Sequence, residues 1–504
     1  MVVLTWLFGL GVAFELFLQL TPFGWRARKL LAPLSVLCIA FNTGSIVVER
    51  PGIAASALLL LSAYRIINLS RILEARMHET YLRRATRRTS VVLLGFQGAL
   101  CLLWFAFGRW SLGNVAWAVL VAVQLVIAAG LLASTLRRLK HTAWQTQPKN
   151  HLSDHELPTL SVAIPARNET EDLEVCLQSL VASDYPKLEI LVLDDCSQTT
   201  RTPEIIRAFA HDGVRFVQGA EPHSTWLPKN AAYARLTEEA SGDYLLFCGA
   251  DIRFAPQSLR LVMELLVARH KQMLSILPRR TAQTASFSLA QGMRYYWELA
   301  PPRRLFRRPA VLDSCWVISR AALNKVGGFA SVARSIVPLA PIARQLLPDD
   351  AYSFMRAGKN PGIESAKSER DQRDTAIRTR YPQLHRRPEN VCLLALFELV
   401  FFVLPFALAL AGRWLGVSPA AQLTAATAAA MLLVSYYLIA SSTRLHALWL
   451  AGIALPFVVL YDTVLLHVSM WQYEFSVVDW RGRNICVPAM HVVPHLPRLD
   501  DSKS

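Results

Sequence analysis

Charged residues are scarce in this 504-residue sequence, and their scarcity excludes several classes of protein. They make up 18% of the chain, against 53% for hydrophobic residues, whereas an average soluble protein carries about 25% charged residues. This composition excludes an intrinsically disordered chain and argues against a purely soluble one. The eight cysteines include no Cys-x-x-Cys pair, which argues against a disulfide framework or a structural zinc site.

Long apolar runs occupy both ends of the sequence. A helix that crosses a bilayer needs about 20 mostly apolar residues. Five such segments precede residue 140, near residues 2–20, 30–48, 52–70, 91–108 and 113–136, and three more lie near residues 391–412, 420–440 and 447–469. We therefore expect a multi-pass membrane protein.

Basic residues cluster between the predicted spans, and the formal net charge is +16. The clusters lie at residues 26–29, in the loop 71–90 and at residues 137–140. Because basic loops are retained in the cytoplasm, the region after residue 137 is predicted to be cytoplasmic. The membrane is expected to be a bacterial inner (plasma) membrane.

A second group of basic residues is mixed with aromatic ones. It comprises Arg279, Arg280, Tyr295, Tyr296, Trp297, Arg303, Arg304, Phe306, Arg307 and Arg308. Such a mixture can bind nucleic acid, but between membrane spans it favours lipid headgroups or a phosphate on a lipid acceptor. A solvated basic face is the simpler alternative. We expect membrane lipids as partners and no nucleic acid.

Residues 158–388 show a different pattern, in which short apolar runs alternate with helical ones. Residues 160–164, 188–193, 214–217 and 244–248 are predicted to be buried strands. Helices are expected at 203–210 and 229–240, and between the first two strands Leu173, Cys176, Leu177, Leu180 and Val181 fall on one helical face. This alternation predicts an α/β domain with a parallel sheet and helices on both faces. In such sheets ligands bind beyond the carboxyl ends of the strands.

Acidic residues follow three of these predicted strands. Glu169 comes shortly after the first strand, Asp194 and Asp195 end the second, and Asp251 follows the fourth. Neighbouring carboxylates repel one another, so they favour a site where a divalent cation offsets them. Such a cation could bridge phosphate oxygens and stabilise a departing diphosphate. The alternative is that each acid merely supplies turn chemistry.

An ordered series of segments resembles a known family. They are SVAIPARNE (161–169), EILVLDDCS (189–197), WLPKNAA (226–232), YLLFCGADIRF (244–254), WVISRAALNKVGGF (316–329), PDDAYSFMRAGK (348–359) and WRGRN (480–484). The chain resembles the family 2 glycosyltransferases, whose catalytic domain has the Rossmann-like, nucleotide-sugar-binding GT-A fold. Within them it is most similar to the ceramide glucosyltransferase-like, non-processive group.

The resemblance implies roles for individual residues. The segment with Ala166, Arg167 and Glu169, together with Asp194 and Asp195, would bind the base and ribose of a nucleotide-sugar. Lys229 would lie near the phosphates, Arg373 would help to bind the donor, and Asp251 would coordinate Mg²⁺ or Mn²⁺. Asp349 and Asp350 match an acidic pair whose second member is the general base for an acceptor hydroxyl. Alternatively, the pair is an N-terminal signal for a helix at residues 351–357.

Two positions depart from the family pattern. Gly249 stands where the first aspartate of the DxD motif is expected, and Gln372-Arg373 lacks the tryptophan of the QxxRW motif. The second departure argues against a processive polysaccharide synthase. The first leaves open a catalytically impaired protein that binds without turnover.

The segment Trp480-Arg481-Gly482-Arg483 resembles a W-K/R-G-R motif that follows the last membrane helix in many membrane-bound members. The resemblance implies a cytoplasmic position near the active site, with an acceptor or gating role for Trp480, Arg481 and Arg483. Three C-terminal spans would instead place this segment outside the cell. We give the motif more weight than the span count.

These observations divide the chain into five parts. They are an N-terminal transmembrane region (1–140), a linker (141–157), a GT-A domain (158–388), C-terminal transmembrane or interfacial helices (389–470) and a basic tail (471–504). We predict an integral-membrane inverting glycosyltransferase of glycolipid or cell-envelope biosynthesis. It would move a sugar from a cytoplasmic nucleotide-sugar to a lipid or polyprenyl-linked acceptor. The alternatives are the processive synthase and the impaired binding protein.

Overall fold

The computed structural model describes eleven segments of the chain. The segments are residues 11–19, 27–49, 53–73, 86–98, 114–144, 152–222, 225–281, 289–302, 309–443, 448–475 and 477–486. The chain forms two compact units. The helical unit comprises Met1–Ala133, Thr375–Tyr436 and Gly452–Val477, and the α/β unit comprises Ser134–Asp374, Tyr437–Ala451 and Val478–Ser504.

Long apolar helices dominate the helical unit. The structure has helices at residues 11–19 and 86–98 and at Arg28–Glu49, Ile53–Leu73, Asn114–Thr142, Pro388–Glu398, Leu404–Ala411, Pro419–Thr443 and Leu448–Glu474. A π-helical turn at Leu399–Val403 joins the helix Pro388–Glu398 to the helix Leu404–Ala411.

Four helices among the described residues are long and apolar enough to cross a membrane. They are Trp117–Thr142, Pro388–Ala411, Pro419–Thr443 and Ala454–Glu474. They match the fifth predicted N-terminal span and all three predicted C-terminal spans. The predicted spans near 2–20, 30–48, 52–70 and 91–108 extend beyond the residues whose side chains are described.

Two groups of charged side chains inside the helical unit are paired with one another. Arg65 donates to Glu15 through Nε at 3.0 Å and Nη2 at 2.6 Å, and to Gln97 Oε1 at 2.6 Å. Arg65 and Glu15 are both buried. Elsewhere in the unit Arg380 contacts Asp462 and approaches Glu398 at 3.9 Å. A charge in an apolar surround is costly without a partner, so these pairs let apolar helices contain ionised groups.

The α/β unit is built on a seven-stranded sheet in the order β3-β2-β1-β4-β8-β6-β9. Its strands are β1 (Leu160–Ala166), β2 (Leu188–Asp194), β3 (Val214–Gln218), β4 (Tyr244–Cys248), β6 (Met273–Leu277), β8 (Cys315–Ser319) and β9 (Tyr352–Arg356). A smaller sheet has the order β5-β10-β7 and contains β5 (Ile252–Phe254), β7 (Arg279–Arg280) and β10 (Ile363–Ser365). A hairpin pairs β11 (Asp479–Trp480) with β12 (Arg483–Asn484).

The helices of this unit connect the strands. They are α1 (Glu171–Val181), α2 (Arg201–Ala208), α3 (Pro228–Glu239), α4 (Ser258–Ala268), α5 (Leu289–Leu299), α6 (Arg320–Lys325), α7 (Leu339–Leu346) and α8 (Glu369–Gln383). Short 3₁₀ turns lie at Ala210–Asp212 and Phe329–Val332. The four predicted strands and the two predicted helices are thus confirmed, with ends that differ by at most two residues.

Strand direction in the large sheet is mixed, which corrects the expectation of a parallel sheet. β1 pairs in parallel with β2 and β4, and β2 pairs in parallel with β3. β8 is antiparallel to both β4 and β6, and β9 is parallel to β6. All strands of the large sheet except β8 therefore have their carboxyl ends on the same side of the sheet, which we call the carboxyl edge. We call the opposite edge the amino edge.

Apolar side chains from both faces of the sheet form the core. Leu160, Val162 and Ile164 of β1 are completely buried, as is the helical face of α1 at Leu173, Cys176, Leu177 and Leu180. Val181, predicted to share that face, is 38% exposed, because it is the last residue of α1 and lies past the packed turns. The aromatic rings of Phe247 and Trp316 stack at 4.5 Å between β4 and β8.

The mixed basic and aromatic group does not form a solvated basic face over the described residues. Tyr295, Tyr296 and Arg280 are buried, and Arg280 donates to the carbonyl oxygen of Lys367 at 3.3 Å. Arg303, Arg304, Phe306, Arg307 and Arg308 lie outside the described residues. The described part of this group therefore serves packing, and its expected contact with lipid stays a prediction.

We predict that Leu246→Ala lowers the free energy of unfolding of the α/β unit by about 2–5 kcal/mol, because the change leaves a cavity in a packed core. Leu246 lies in β4 and is completely buried. Urea unfolding of the detergent-purified protein, followed by tryptophan fluorescence, measures the change. Leu347→Ala is the control, since Leu347 is 44% exposed and its truncation should change stability by no more than about 0.5 kcal/mol. Equal effects of the two substitutions would contradict the position of Leu246 in the core.

Candidate functional site

The ends of β1 and β2 are joined at the carboxyl edge. The carbonyl oxygen of Ala166 accepts a hydrogen bond from the Asp195 backbone N–H at 2.8 Å. The carbonyl oxygen of Asp194 accepts from the Gly219 N–H at 3.0 Å, and a Cβ at Gly219 would lie only 2.4 Å from that oxygen. Asp194 Oδ1 accepts from the Ser197 N–H at 3.3 Å. Asp194 therefore contributes turn chemistry, as the simpler reading of the sequence allows.

Arg167 holds the loop after β1 against the loop after β2. Its Nη1 donates to the carbonyl oxygens of Asp195 at 2.6 Å and Cys196 at 2.7 Å. Its Nε donates to the carbonyl oxygen of Arg481 at 3.0 Å. Arg167 is buried and thus joins three segments that are distant in sequence, so its main role in the structure is to shape this edge.

The tail motif forms a tight hairpin that lies against the same edge. Arg481 and Gly482 occupy the two turn positions with φ values of 50° and 79°, the left-handed pair that a type I′ turn requires. Arg483 Nη1 donates to both carboxylate oxygens of Asp195 at 2.9 Å, and its Nη2 donates to Glu221 at 2.7 Å. Trp480, in β11, is partly exposed. We call residues 479–484 the tail hairpin.

Burial shifts two carboxyl groups at this edge. Burial raises the pKa of Asp195, and the Arg483 guanidinium opposes the rise. Burial also raises the pKa of Glu169, to about 7, and the nearby Asp251, Asp172 and Asp371 add to the rise while Arg481 opposes it. Arg481 Nη2 lies 3.3 Å from Glu169 Oε1. The region around Asp251 is therefore negative enough to favour an added cation.

Asp251 lies three residues after the end of β4, immediately before β5, and one of its carboxylate oxygens is fixed. Its Oδ2 accepts a hydrogen bond from Ser365 Oγ of β10 at 2.7 Å. Its Oδ1 occupies the space beside Gly249, since a Cβ at Gly249 would lie 2.6 Å from that oxygen. The missing first aspartate of the DxD motif thus leaves room for the remaining carboxylate in this orientation.

The donor set fits a divalent cation that is held mainly by a substrate. No group of three His, Cys, Asp or Glu side chains within the described ranges is arranged to hold a metal ion. Mg²⁺ usually keeps several waters and binds through one or two carboxylates together with substrate phosphates. Asp251, whose Oδ2 is bonded to Ser365 and whose neighbours include other acidic groups, meets that requirement.

Lys229 lies at the amino end of α3, beside two groups that the sequence reasoning missed. Its Nζ pairs with Asp313 Oδ2 at 2.8 Å, and Asp313 Oδ1 pairs with Arg294 Nη2 at 3.2 Å. Asp313 precedes β8 by two residues, and Cys315 of β8 pairs with Cys248 of β4. An acid before a strand normally lies at the amino edge. Only the reversed direction of β8 brings Asp313 to the carboxyl edge, so local sequence carries no signal for it.

Asp349 and Asp350 do not belong to this edge, which corrects the prediction that Asp350 acts as the base beside Asp251. They immediately precede β9, whose first residue, Tyr352, pairs with Met273, the first residue of the parallel strand β6. They therefore lie at the amino edge. Asp349 pairs with Lys325 and Asp350 with Lys271, both at 2.7 Å, and the Asp350 side chain is 92% exposed. The alternative interpretation of the pair, as an N-terminal signal for a helix at residues 351–357, is also wrong. Pairing with β6 makes Tyr352–Arg356 a strand.

Arg373 lies in α8 and pairs with its neighbour Asp374 at 3.6 Å. Its side chain is 49% exposed. Its role in donor binding therefore stays a prediction that rests on the resemblance alone.

A comparison with family models and with known proteins bears on this edge. Residues 161–327 match the model of Glycosyl transferase family 2. Glycosyltransferase AglE of Haloferax volcanii is 35% identical over 99 residues, which are 19% of this chain and 31% of that protein. The probable glycosyltransferase YdaM of Bacillus subtilis is 26% identical over 202 residues, which are 36% of this chain and 45% of that protein.

Among solved structures, a mannosyltransferase from Pyrobaculum calidifontis in complex with GDP-Man and Mn²⁺ is similar, with 19% identity and a TM-score of 0.41. The match covers 68% of this chain and 99% of that one. This chain spans about a third to a half of the length of the curated relatives named above. The family match covers β1 to β4, β6, β8 and the segments that bear Asp195, Lys229, Asp251 and Asp313. Residues 161–327 of the chain, which include most of the large sheet, therefore match the Glycosyl transferase family 2 model, in agreement with the resemblance that the sequence shows.

Proposed function

We propose that the protein is an inverting glycosyltransferase that moves a sugar from a nucleotide-sugar to a hydroxyl group of a lipid or polyprenyl-linked acceptor. The observation that carries the proposal is the meeting of Asp195, Lys229 and Asp251 at one sheet edge of a family 2 domain. Asp195 and Asp251 are 56 positions apart in the chain, and the parallel pairing of β1 with both β2 and β4 brings the ends of their strands to the same edge.

The donor would lie along the carboxyl edge. Ala166, Arg167, Glu169, Asp194 and Asp195 would surround the base and ribose, and Lys229 would contact the diphosphate. A divalent cation on Asp251 would neutralise the diphosphate as the bond to the sugar breaks. The partly buried setting supports this arrangement, because charge–charge interactions are stronger where water is excluded.

The acceptor would come from the bilayer. In the chain, Trp117–Thr142 precedes the α/β domain and three further candidate spans follow it, so the domain would be tethered to a membrane at both ends. A lipid-linked hydroxyl is the acceptor that a tethered domain meets most often. The basic clusters at residues 26–29, 71–90 and 137–140 support a cytoplasmic domain at a bacterial inner membrane.

The chemical step would be a single displacement. The acceptor oxygen forms a bond to the anomeric carbon while the bond from that carbon to the diphosphate oxygen breaks. The electron pair of the broken bond leaves with the diphosphate, and the hydroxyl proton passes to a base. The configuration at the anomeric carbon inverts, because the oxygen attacks from the side opposite the diphosphate.

A binding protein without turnover is the second candidate. Gly249 in place of the first DxD aspartate and the distance of Asp350 from the carboxyl edge favour it. Both candidates predict that the protein binds a nucleotide-sugar, and only the enzyme predicts a labelled product.

We predict that Asp251→Asn lowers sugar transfer about 100-fold or more, since removing one charge-stabilising contact at a reacting centre costs about that much. Membranes that contain the protein are incubated with a panel of labelled UDP- and GDP-sugars, and lipid extracts are counted. Asp350→Asn is the matched control, because its carboxylate pairs with Lys271 at the amino edge, and it should leave turnover unchanged. Wild-type membranes that bind a donor without labelling any lipid would favour the binding protein.

We predict that Arg483→Gln raises the KM for the donor about 10- to 100-fold. Without the guanidinium, Asp195 and the loop at Arg167 lose their fixed position. The contact that is removed is charge-assisted and worth about 1.5–3 kcal/mol, and each 1.4 kcal/mol corresponds to about a tenfold change in affinity. Initial rates against donor concentration measure the effect. Arg215→Gln is the control, since Arg215 also bridges two acids, Glu189 and Glu239, but towards the amino edge. A lower KM in Arg483→Gln would mean that the tail hairpin competes with the donor.

We predict that Glu169→Gln stabilises the protein increasingly as the pH rises from about 4.5 to about 7, after which the gain levels off. The folded state keeps the proton of Glu169 up to a pKa of about 7, whereas the unfolded chain releases it near 4.5. Ionisation of Glu169 therefore lowers the free energy of unfolding of the wild type as the pH rises from about 4.5 to about 7. Melting temperatures of wild type and variant between pH 5 and 8 measure the difference. A difference that does not change with pH would show that Glu169 has an ordinary pKa.

A further inference from the structure

The proposed transfer needs a base, and Asp350 lies at the wrong edge to supply it. The carboxylates at the carboxyl edge differ in how they are engaged. Asp195 is bound through both oxygens to Arg483, Asp172 pairs with Arg253 at 2.6 Å, and Glu169 pairs with Arg481. Asp251 is bonded to Ser365 and is the carboxylate available to a cation. Asp313 differs from all of these, because it is paired with Lys229.

This pairing places Asp313 at the phosphate end of the proposed donor site. Lys229 is the residue expected to contact the diphosphate, and Asp313 Oδ2 lies 2.8 Å from its Nζ. The anomeric carbon is bonded directly to the terminal phosphate oxygen. A base for the incoming hydroxyl must therefore lie within a few ångströms of the phosphates, within hydrogen-bond reach of the acceptor oxygen.

The backbone on both sides of Asp313 is held by the core. Ser275 Oγ of β6 donates to the carbonyl oxygen of Leu312 and accepts from the Leu312 N–H, both at 2.9 Å. Gly249, two residues before Asp251, donates its N–H to the carbonyl oxygen of Ser314 at 3.1 Å. Asp313 is thus fixed between β6 and β4, and its side chain is 13% exposed. A base benefits from such a rigid support.

Two cations occupy the Asp313 carboxylate, one on each oxygen. Lys229 contacts Oδ2, and Arg294 of α5 contacts Oδ1 at 3.2 Å. A diphosphate carries more negative charge than a carboxylate and attracts ammonium and guanidinium groups strongly. A donor at this edge would draw both cations toward its phosphate oxygens. These two contacts on Asp313 Oδ1 and Oδ2 would then be released, and a carboxylate oxygen could accept a hydroxyl proton.

We propose that Asp313 is the catalytic base of the transfer and that the donor's diphosphate uncovers it by engaging Lys229 and Arg294. This proposal rests on the proposed glycosyltransferase function. In the step, the acceptor oxygen bonds to the anomeric carbon, its proton moves to Asp313, and the sugar–diphosphate bond breaks with its electrons leaving on the diphosphate. Because the base is covered until the donor binds, the donor must bind before the acceptor is activated.

The test compares Asp313→Asn with wild type and with Asp350→Asn, using the labelled UDP- or GDP-sugar that wild-type membranes transfer. We expect kcat to fall about 10²- to 10⁴-fold in Asp313→Asn, the usual range for loss of a general base. Binding of the same nucleotide-sugar should change by less than about threefold, and Asp350→Asn should retain wild-type kcat. Asp313→Ala should regain part of its activity when formate is added as an external base.

Each other outcome overturns the proposal in a distinguishable way. If wild type transfers sugar and Asp313→Asn keeps more than about half of its kcat, Asp313 is not the base and the glycosyltransferase function stands. If Asp313→Asn loses donor binding along with turnover and formate does not rescue Asp313→Ala, Asp313 only supports the structure. If wild type binds nucleotide-sugars but transfers none of them, the proposed function and this inference fail together.

Discussion

The parallel pairing of β1 with β2 and β4 is the constraint on which the candidate site depends. It aligns the ends of three strands, so that the residues after them share one edge. The bond from the Asp195 N–H to the carbonyl oxygen of Ala166 fixes the first two ends to each other. Close backbone approach maintains the packing, since a Cβ at Gly242 would lie 2.7 Å from the Ser161 backbone nitrogen. Without this pairing, Glu169, Asp195 and Asp251 would be unrelated acids on a long chain.

Charge at the carboxyl edge is balanced by residues from distant parts of the sequence. Arg483 lies 288 positions after Asp195, yet it holds both oxygens of that carboxylate. Arg481 likewise pairs with Glu169, at 3.3 Å between Nη2 and Oε1. The tail hairpin thus offsets the desolvation that raises the pKa of both acids. Lys229 and Arg294 form a second group of cations around Asp313.

Much of the α/β domain could be predicted because its local patterns are strong. Buried runs such as 160–164 and 244–248 contain few polar residues and are bounded by turn residues, and the structure has strands at both places. The helical face of α1 followed from spacing alone, except at Val181, where the helix ends. The alternative of a helix at residues 351–357 is wrong, because Tyr352–Arg356 forms β9, where hydrogen bonds to β6 outweigh a short local propensity.

The sequence by itself determined where apolar spans and buried strands lie, which segments match a family 2 domain, and that Asp195 and Asp251 end parallel strands. Only the tertiary structure decided which acids meet. Asp349 and Asp350 match the family pattern but lie at the amino edge, whereas Asp313 matches no motif and lies beside Lys229. The physical reason is that the direction of a strand is set by its neighbours in the sheet. A residue beside a strand can therefore lie at either edge, and local sequence does not distinguish the two.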